Sequence, residues 1–272
     1  MSGYWGPATS TIDWCEQNYQ FSHYLAELAN SLSNGVTVLF AAWGAHKVRQ
    51  NGLPLRYALQ FVFLAIVGIG SFAFHATLLY EAQLADELPM LLSSSYSIFL
   101  LLDTGKGFAN IHSWLAIAIA VINVAFTASY LVYRSPPYFQ SVFAFTMLFI
   151  GFRCTQLLRH SAPSVIPPQT KQRILSIFWT GGLLFIFAFG IWNIDNEFCA
   201  RITVWKHALG WPNAFLLEGH AWWHALTAAG TYLMMEGVTY TMLCVKDDHN
   251  RYGLDYTLGV PHVVRIPARK SD

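Results

Sequence analysis

Long apolar segments recur through most of this chain and restrict the folds that it can adopt. Seven segments approach or exceed the roughly 20 residues that a helix needs to cross the hydrocarbon core of a bilayer. They are 23–48, 57–79, 88–102, 112–133, 138–158, 174–192 and 215–245. The first begins with an amphipathic stretch, and the third is short and begins near Leu84. The sequence therefore predicts an all-α, polytopic membrane protein built as a seven-helix transmembrane bundle.

The charge content agrees with a chain that is largely embedded in a membrane. Charged residues make up 11% of the sequence, against about 25% in soluble globular domains, and hydrophobic residues make up 54%. The net charge of +1 argues against a nucleic-acid partner, and no obligate protein partner is evident. No polar linker divides the apolar segments. We therefore expect one helical unit with an exoplasmic segment (1–33), a bundle (34–245) and a flexible cytosolic tail (246–272).

The distribution of positive charge predicts how this bundle is oriented. With seven spans and an exoplasmic N-terminus, thirteen of the sixteen Lys and Arg residues fall on the cytosolic side. Only Arg134, Arg201 and Lys206 fall on the other side. Cytosolic loops carry an excess of Lys and Arg. The N-terminus is therefore predicted to be exoplasmic and the C-terminus cytosolic.

Three of the ten histidines are predicted to reach one depth near the exoplasmic surface. His220 and His224 lie four residues apart in EGHAWWHAL, so both rings project from one face of the last helix, and His75 lies late in the second helix. Asp86 opens the third helix at the same level, and Ser71 shares a helix face with His75. Three imidazoles and a water suit zinc. On the residues alone, packing histidines, a helix-capping Asp86 and a packing Ser71 remain open alternatives.

A short acidic segment precedes the first helix. Asp13, Glu16 and Asn18 in STIDWCEQNYQ, followed by Glu27, offer the oxygen ligands that calcium prefers, but their spacing is not that of an EF-hand. Composition alone favours a solvated acidic segment, with Trp14 as an interfacial anchor.

Two pairs of cysteines have different predicted environments. Cys15 and Cys199 both lie on the predicted exoplasmic side, where an oxidising compartment allows a disulfide between them. Cys154 and Cys244 lie within apolar segments and are predicted to be buried thiols.

Four strings in this sequence resemble the alkaline ceramidases, a family of seven-span intramembrane zinc amidases. They are TSTIDWCEQNY, GIGSFAFHATL, LADELPM and LLEGHAWWHALT, and the resemblance covers about residues 4 to 245. ADELPM and STIDWCE are most similar to the fungal members, which act on phytoceramide and dihydroceramide. The resemblance implies hydrolysis of the ceramide amide bond to a sphingoid base and a free fatty acid through a zinc-activated water.

The resemblance also assigns site residues. Each position matches the family pattern, whereas Glu218 and Glu236 receive no role. The implied sites are zinc on His75, His220 and His224; catalytic Ser71 and Asp86; calcium on Asp13, Trp14 (through its carbonyl), Glu16, Asn18 and Glu27; and a Cys15–Cys199 disulfide.

Two other functions compete with the hydrolase. A seven-span receptor of the adiponectin and progestin receptor type would also place three histidines on zinc, but the DWCEQN and ADELPM strings favour a ceramidase. A transporter could use the histidines and Asp86 as a proton relay, yet no paired Gly/Pro-broken helices occur in matching halves. Family precedent favours the endoplasmic reticulum over the Golgi.

Overall fold

The computed structural model describes residues 3–267 as a bundle of long helices followed by a β-hairpin. The helices are α1 (Leu28–Gln50), α2 (Arg56–Thr77), α3 (Tyr80–Leu102), α4 (Ser113–Tyr133), α5 (Pro136–His160), α6 (Pro168–Glu197), α7 (Cys199–Leu209) and α8 (Gly219–Lys246). Single 3₁₀ turns span Asn213–Leu217 and His249–Arg251. The hairpin consists of β1 (Tyr252–Thr257) and β2 (Val260–Arg265).

The helices differ in polarity according to their place in the bundle. Among residues 3–267, four helices are long and apolar enough to cross a membrane, namely α2, α4, α5 and α6. On α4, Ile117, Val121 and Val124 are all more than 60% exposed, which suits a surface in contact with lipid. The membrane character of the chain thus agrees with the sequence, while the count of seven spans and their orientation remain predictions.

The more polar helices form the interior. Helix α8 contacts α1, α2, α3, α5 and α6, and most of its C-terminal half is buried. Helices α1 and α3 bury polar side chains such as Asn30, Asn34 and Ser94. Polar groups inside a membrane normally face the bundle interior, where they can find partners. This arrangement explains why α1, α3 and α8 are less apolar than the outer helices.

The structure corrects the predicted start of the third helix. Helix α3 begins at Tyr80, before the predicted Leu84, and Pro89 lies inside it. Asp86 therefore lies in the second turn of α3, so the prediction that it opens this helix, and the alternative that it caps it, are both wrong. The misleading signal was the cluster of acidic residues beside a proline, which is typical of a helix start.

The loop before the last helix is also more ordered than predicted. The predicted sixth segment ended at 192, but α6 continues to Glu197 and is followed at once by α7. This short helix lies in a region that the sequence indicated only as a loop. Helix α8 then begins at Gly219, a few residues after the predicted 215.

The C-terminal region is folded where a flexible tail was predicted. Strands β1 and β2 pair in antiparallel register, with Tyr252 opposite Arg265. Leu258 and Gly259 both have positive φ, as a two-residue hairpin turn requires. Tyr252 and Val263 are buried, which fastens the hairpin to the bundle. The expected flexibility is therefore wrong for 252–265, and the end of the predicted tail (268–272) lies outside the described residues.

Candidate metal centre

Three histidine side chains converge where α2 ends and α8 begins. His75 lies in the last turn of α2, and His220 and His224 lie in the first turns of α8. All three are buried, and their ligand atoms lie within 4.8 Å of one another. Nε2 of His220 lies 3.3 Å from Nε2 of His75. Among residues 3–267, this is the one group of three or more His, Cys, Asp or Glu side chains whose ligand atoms converge closely enough to share a metal ion.

Neighbouring side chains determine which ring nitrogens face this centre. Glu27 lies 2.5 Å from Nδ1 of His75, and its carboxylate accepts a hydrogen there. The Ser33 hydroxyl donates its single hydrogen to the Asn30 carbonyl, so at 2.8 Å it accepts the Nδ1 hydrogen of His224. Both contacts leave Nε2 with a free lone pair. Such hydrogen bonds to the far ring nitrogen are the usual support of metal-binding histidines.

His220 is held differently from the other two histidines. The Trp14 ring stacks on it with ring centroids 3.9 Å apart and an interplanar angle of 16°. Its Nδ1 is buried and has no hydrogen-bond partner among residues 3–267. The N-terminal segment therefore covers the centre directly, because Trp14 belongs to that segment.

Asp195, which the sequence analysis did not single out, supports the helix end that carries His220. Its carboxylate accepts the backbone N–H of Gly219 at 3.2 Å and lies close to that of His220. A Cβ at position 219 would lie 2.7 Å from Cβ of Asp195, so glycine permits this approach. Glu218, at the N-cap of α8, makes no capping bond with its side chain. Asp195 of α6 thus provides the cap that α8 lacks.

Ser71 and Asp86 lie together beside this centre. The Ser71 hydroxyl lies close to the Asp86 carboxylate, one helical turn before His75. This contact depends on Gly70, because a Cβ there would lie 1.9 Å from the carbonyl oxygen of Ala85. Helices α2 and α3 can therefore touch at this point. Asp86 is not one of the converging metal-binding groups, and it remains half-buried while Ser71 is buried.

The acidic N-terminal segment packs onto the start of α1. Glu16 accepts the backbone N–H groups of Ala29 at 2.7 Å and Asn30 at 2.8 Å, and so caps this helix from a distance. Burial raises the pKa of Glu16 to about 7, although these two backbone bonds lower it. Asp13 accepts a hydrogen bond from the Asn18 amide at 3.2 Å.

The disulfide and the two buried thiols agree with the sequence. Cys15 is bonded to Cys199, which confirms the predicted pairing and joins the N-terminal segment to α7. Cys154 and Cys244 are free and buried, as predicted.

The two glutamates without an assigned role also have partners. Glu218 forms a buried ion pair with Lys206 of α7 at 2.6 Å. Glu236, deep in α8, accepts the backbone N–H of Val263 at 2.8 Å and so holds the hairpin. Neither partner was predictable from spacing, because both contacts join distant parts of the chain.

Comparison with known proteins agrees with this geometry. The profile of the family described as Ceramidase matches residues 6–268. The chain is 31% identical to alkaline ceramidase 3 of Mus musculus over 88% of this chain and 86% of that protein. It is 32% identical to alkaline ceramidase YPC1 of Saccharomyces cerevisiae over 85% of this chain and 76% of that protein. An alkaline ceramidase of Arabidopsis thaliana is 26% identical over 100% of this chain and 98% of its own. On these matches, the chain belongs to the ceramidase family.

Proposed function

We propose that this protein is an alkaline ceramidase that hydrolyses the amide bond of ceramide to a sphingoid base and a free fatty acid. The observation that carries the proposal is the convergence of three buried histidine rings in a helical membrane-type bundle of the ceramidase family. The relatives named above are alkaline ceramidases. These matches do not favour the receptor and transporter alternatives.

The His75–His220 pair has the ligand spacing of a zinc site, and the ligand atoms of all three histidines lie within 4.8 Å of one another. Nitrogen ligands about 2.0–2.1 Å from a tetrahedral zinc lie roughly 3.3 Å from one another, and Nε2 of His75 and Nε2 of His220 are 3.3 Å apart. A bound zinc ion would polarise the amide carbonyl and lower the pKa of a water molecule to near neutrality.

Asp86 and Ser71 supply the proton transfers in this proposal. Asp86 accepts a proton from the attacking water and later delivers one to the sphingoid nitrogen, which must leave as an amine. The Ser71 hydroxyl has one hydrogen and can give it to the neighbouring Asp86 carboxylate. Once Asp86 is protonated it can donate to Ser71 instead, which frees the Ser71 hydrogen for the carbonyl oxygen of the substrate. Proton uptake and oxyanion stabilisation are thereby coupled.

We also propose a calcium site on Asp13, Trp14 (through its carbonyl), Glu16, Asn18 and Glu27. Two buried oxygen atoms support it, Oδ1 of Asn18 and Oε1 of Glu27, because neither has a partner within residues 3–267. Calcium prefers carboxylate, amide and carbonyl oxygens of this kind. Since the other oxygen of Glu27 contacts His75, this site would be coupled to the histidine centre.

The finer topology belongs to the same proposal. The seven long helices, α1 to α6 and α8, would cross the membrane. The N-terminus would be exoplasmic, and the histidine centre would lie near the lumenal surface of the endoplasmic reticulum. The exposed apolar faces of α4, α5 and α6 suit contact with lipid, and a ceramide with two hydrocarbon chains would reach the site sideways from the bilayer. Phytoceramide and dihydroceramide are the proposed substrates, as in the fungal members.

A direct assay tests this function. Purified protein in nanodiscs is incubated with ceramide, dihydroceramide and phytoceramide, the released sphingoid base is quantified by mass spectrometry, and bound metal is measured by elemental analysis. We expect one zinc ion per chain, and loss of both zinc and activity in His220→Ala. His207→Ala is the matched control, because His207 is exposed on α7. Wild-type protein that binds zinc but releases no base from any ceramide would contradict the hydrolase function.

A further inference from the structure

An open, basic surface pocket, called the basic cavity below, lies at the end of the bundle opposite the histidine centre. It has a volume of about 230 Å³ and is lined by Arg153, Gln156, Leu157, His160 and Ser161, at the C-terminal end of α5. Lys171 of α6 reaches this cavity, because its ammonium group donates to the Ser161 carbonyl. Asp195, beside the histidine centre, lies 24 residues further along the same helix, which corresponds to roughly 36 Å. The cavity is therefore separate from the proposed hydrolytic site.

The central arginine of this cavity lacks an acidic partner. Nη1 of Arg153 donates to Oε1 of Gln156 at 2.7 Å, whereas Nε is buried and finds no acceptor among residues 3–267. The ion pairs of that part of the chain do not include Arg153. A half-buried guanidinium with an unused donor is costly unless an anion completes its contacts.

The chain segments that form this cavity contain no acidic side chain that could pair with Arg153. From Thr104 to Ile194 there is no Asp or Glu, while the same stretch contains Lys106, Arg134, Arg153, Arg159, Lys171 and Arg173. Four of these six cations lie at the facing ends of α5 and α6. A general excess of Lys and Arg at one membrane surface accounts for exposed Arg159 and Arg173. It does not account for Arg153, which lies two turns inside α5 with a buried donor.

The carbonyl groups at the C-terminal end of α5 repel an anion less strongly than they would if they had no hydrogen-bond donors. The Ser161 hydroxyl donates to the Leu157 carbonyl at 2.6 Å, and the His160 ring contacts the Gln156 carbonyl at 3.0 Å. These bonds satisfy acceptors that would otherwise point at the ligand. The N–H groups of Arg153 and Lys171 are therefore the main polar groups that an anion in the cavity would meet.

We propose that this cavity binds the phosphate headgroup of an anionic phospholipid. Arginine pairs with phosphate through parallel hydrogen bonds, and basic pockets among transmembrane helices are typical sites for such headgroups. The position also suits a lipid, because Phe145, Leu148 and Phe152 form an exposed apolar face on α5 along which acyl chains can lie. A soluble phosphate ion offers the same headgroup chemistry but would not use this face.

Native mass spectrometry of the full-length protein tests the proposal without reference to ceramide hydrolysis. The protein is released from nanodiscs of phosphatidylcholine alone, or of phosphatidylcholine with phosphatidic acid, and bound lipids are counted. We expect a retained phosphatidic acid on wild type, and at least about tenfold weaker retention by Arg153→Gln, because a hydrogen bond to a charged group is lost. Arg201→Gln removes an exposed arginine from α7 and should retain the lipid like wild type.

Two further measurements decide the remaining outcomes. Inorganic phosphate at millimolar concentration should not displace the bound phosphatidic acid. If phosphate alone protects wild type against thermal unfolding and phosphatidic acid binds no better than phosphate, the lipid assignment is overturned. The thermal midpoint and zinc content of Arg153→Gln show whether this variant is folded. If it is not, Lys171→Gln replaces it, with a smaller loss of retention expected. Undiminished phosphatidic acid on a folded Arg153→Gln variant overturns the proposal.

Discussion

Replacing Asp195 with Ala should loosen the helix end that carries His220. In the structure the Asp195 carboxylate accepts the backbone N–H of Gly219 at the start of α8 and lies close to that of His220. Loss of a helix N-cap costs about 0.5–2 kcal/mol, and a buried N–H left without an acceptor costs about 1–3 kcal/mol. We therefore expect Asp195→Ala to destabilise the protein by about 2 kcal/mol. Because partners that orient metal ligands typically contribute 10–100-fold to metal affinity, zinc retention should fall by at least about tenfold.

The assay is a chelator titration of purified protein, with zinc retained per chain measured by elemental analysis and the thermal midpoint measured in parallel. Asp195→Asn keeps an oxygen acceptor and should retain most of the zinc, whereas Glu197→Ala, two residues further along and exposed, should behave like wild type. If Asp195→Ala retains zinc as tightly as wild type, the reasoning from the cap is wrong. If Asp195→Asn is as damaging as Asp195→Ala, the negative charge of Asp195 matters and the hydrogen bonds do not.

Three further predictions follow from contacts on either side of the bundle. Glu27→Ala should lower both zinc retention and calcium-dependent activity, because Glu27 contacts His75; zinc content that stays intact would contradict this coupling. Replacing Cys15 and Cys199 with Ser should lower the thermal midpoint, since removal of a native disulfide typically costs 2–5 kcal/mol, and reducing agent should then have no further effect. At the other end of α3, hydrogen bonds from Arg56, His112 and Lys246 outweigh burial and hold the pKa of Asp103 well below its ordinary value of 3.8. The stabilising effect of the Asp103 carboxylate is therefore complete above about pH 4 and is lost as the pH falls further. Asp103→Asn should be less stable than wild type at pH 7 and should lose less stability on acidification. Unfolding followed by tryptophan fluorescence at both pH values checks this.

The parts of the site that could be predicted are those fixed by helix periodicity and helix direction. His220 and His224 share a face because they are four residues apart, and His75 meets them because α2 ends where α8 begins. The pairing of Cys15 with Cys199 could be predicted for a similar reason. Cys15 precedes the first long helix and Cys199 follows the sixth, so both lie on the same side of the predicted bundle. Helix ends were less accurate, and Asp86 was placed one turn too early because acidic residues beside Pro89 imitate a helix start.

The supporting contacts could not be predicted, because each joins two different structural elements whose packing the sequence does not reveal. Asp195 caps α8 from α6, Glu16 caps α1 from the N-terminal segment, and Glu236 binds the backbone of β2. A buried carboxylate in an apolar helix indicates that a partner exists, but the sequence does not say which N–H group is nearby. The hairpin was missed for the same reason: Val263 is buried only because α8 offers a surface for it.

Gly70 provides a test that separates proton transfer from metal binding. A Cβ at position 70 would lie 1.9 Å from the Ala85 carbonyl oxygen and 3.0 Å from the backbone nitrogen of Asp86, so Gly70→Ala must push α3 away from α2. Such overpacking typically costs 1–3 kcal/mol. The contact between Ser71 and Asp86 should be lost. His75 and His224 should keep their places, because Glu27 and Ser33 hold their Nδ1 atoms.

We therefore expect Gly70→Ala to lose at least about tenfold in ceramide turnover while it retains zinc like wild type, a range expected when a general acid–base group is displaced. Gly190→Ala is the matched control, because an added Cβ there meets no atom within 4 Å. Equal losses of zinc and turnover in Gly70→Ala would mean that contact between α2 and α3 builds the metal centre itself. Unchanged turnover would show that the Ser71–Asp86 pair has no part in the rate-limiting step, since the two helices cannot keep their present separation with alanine at this position.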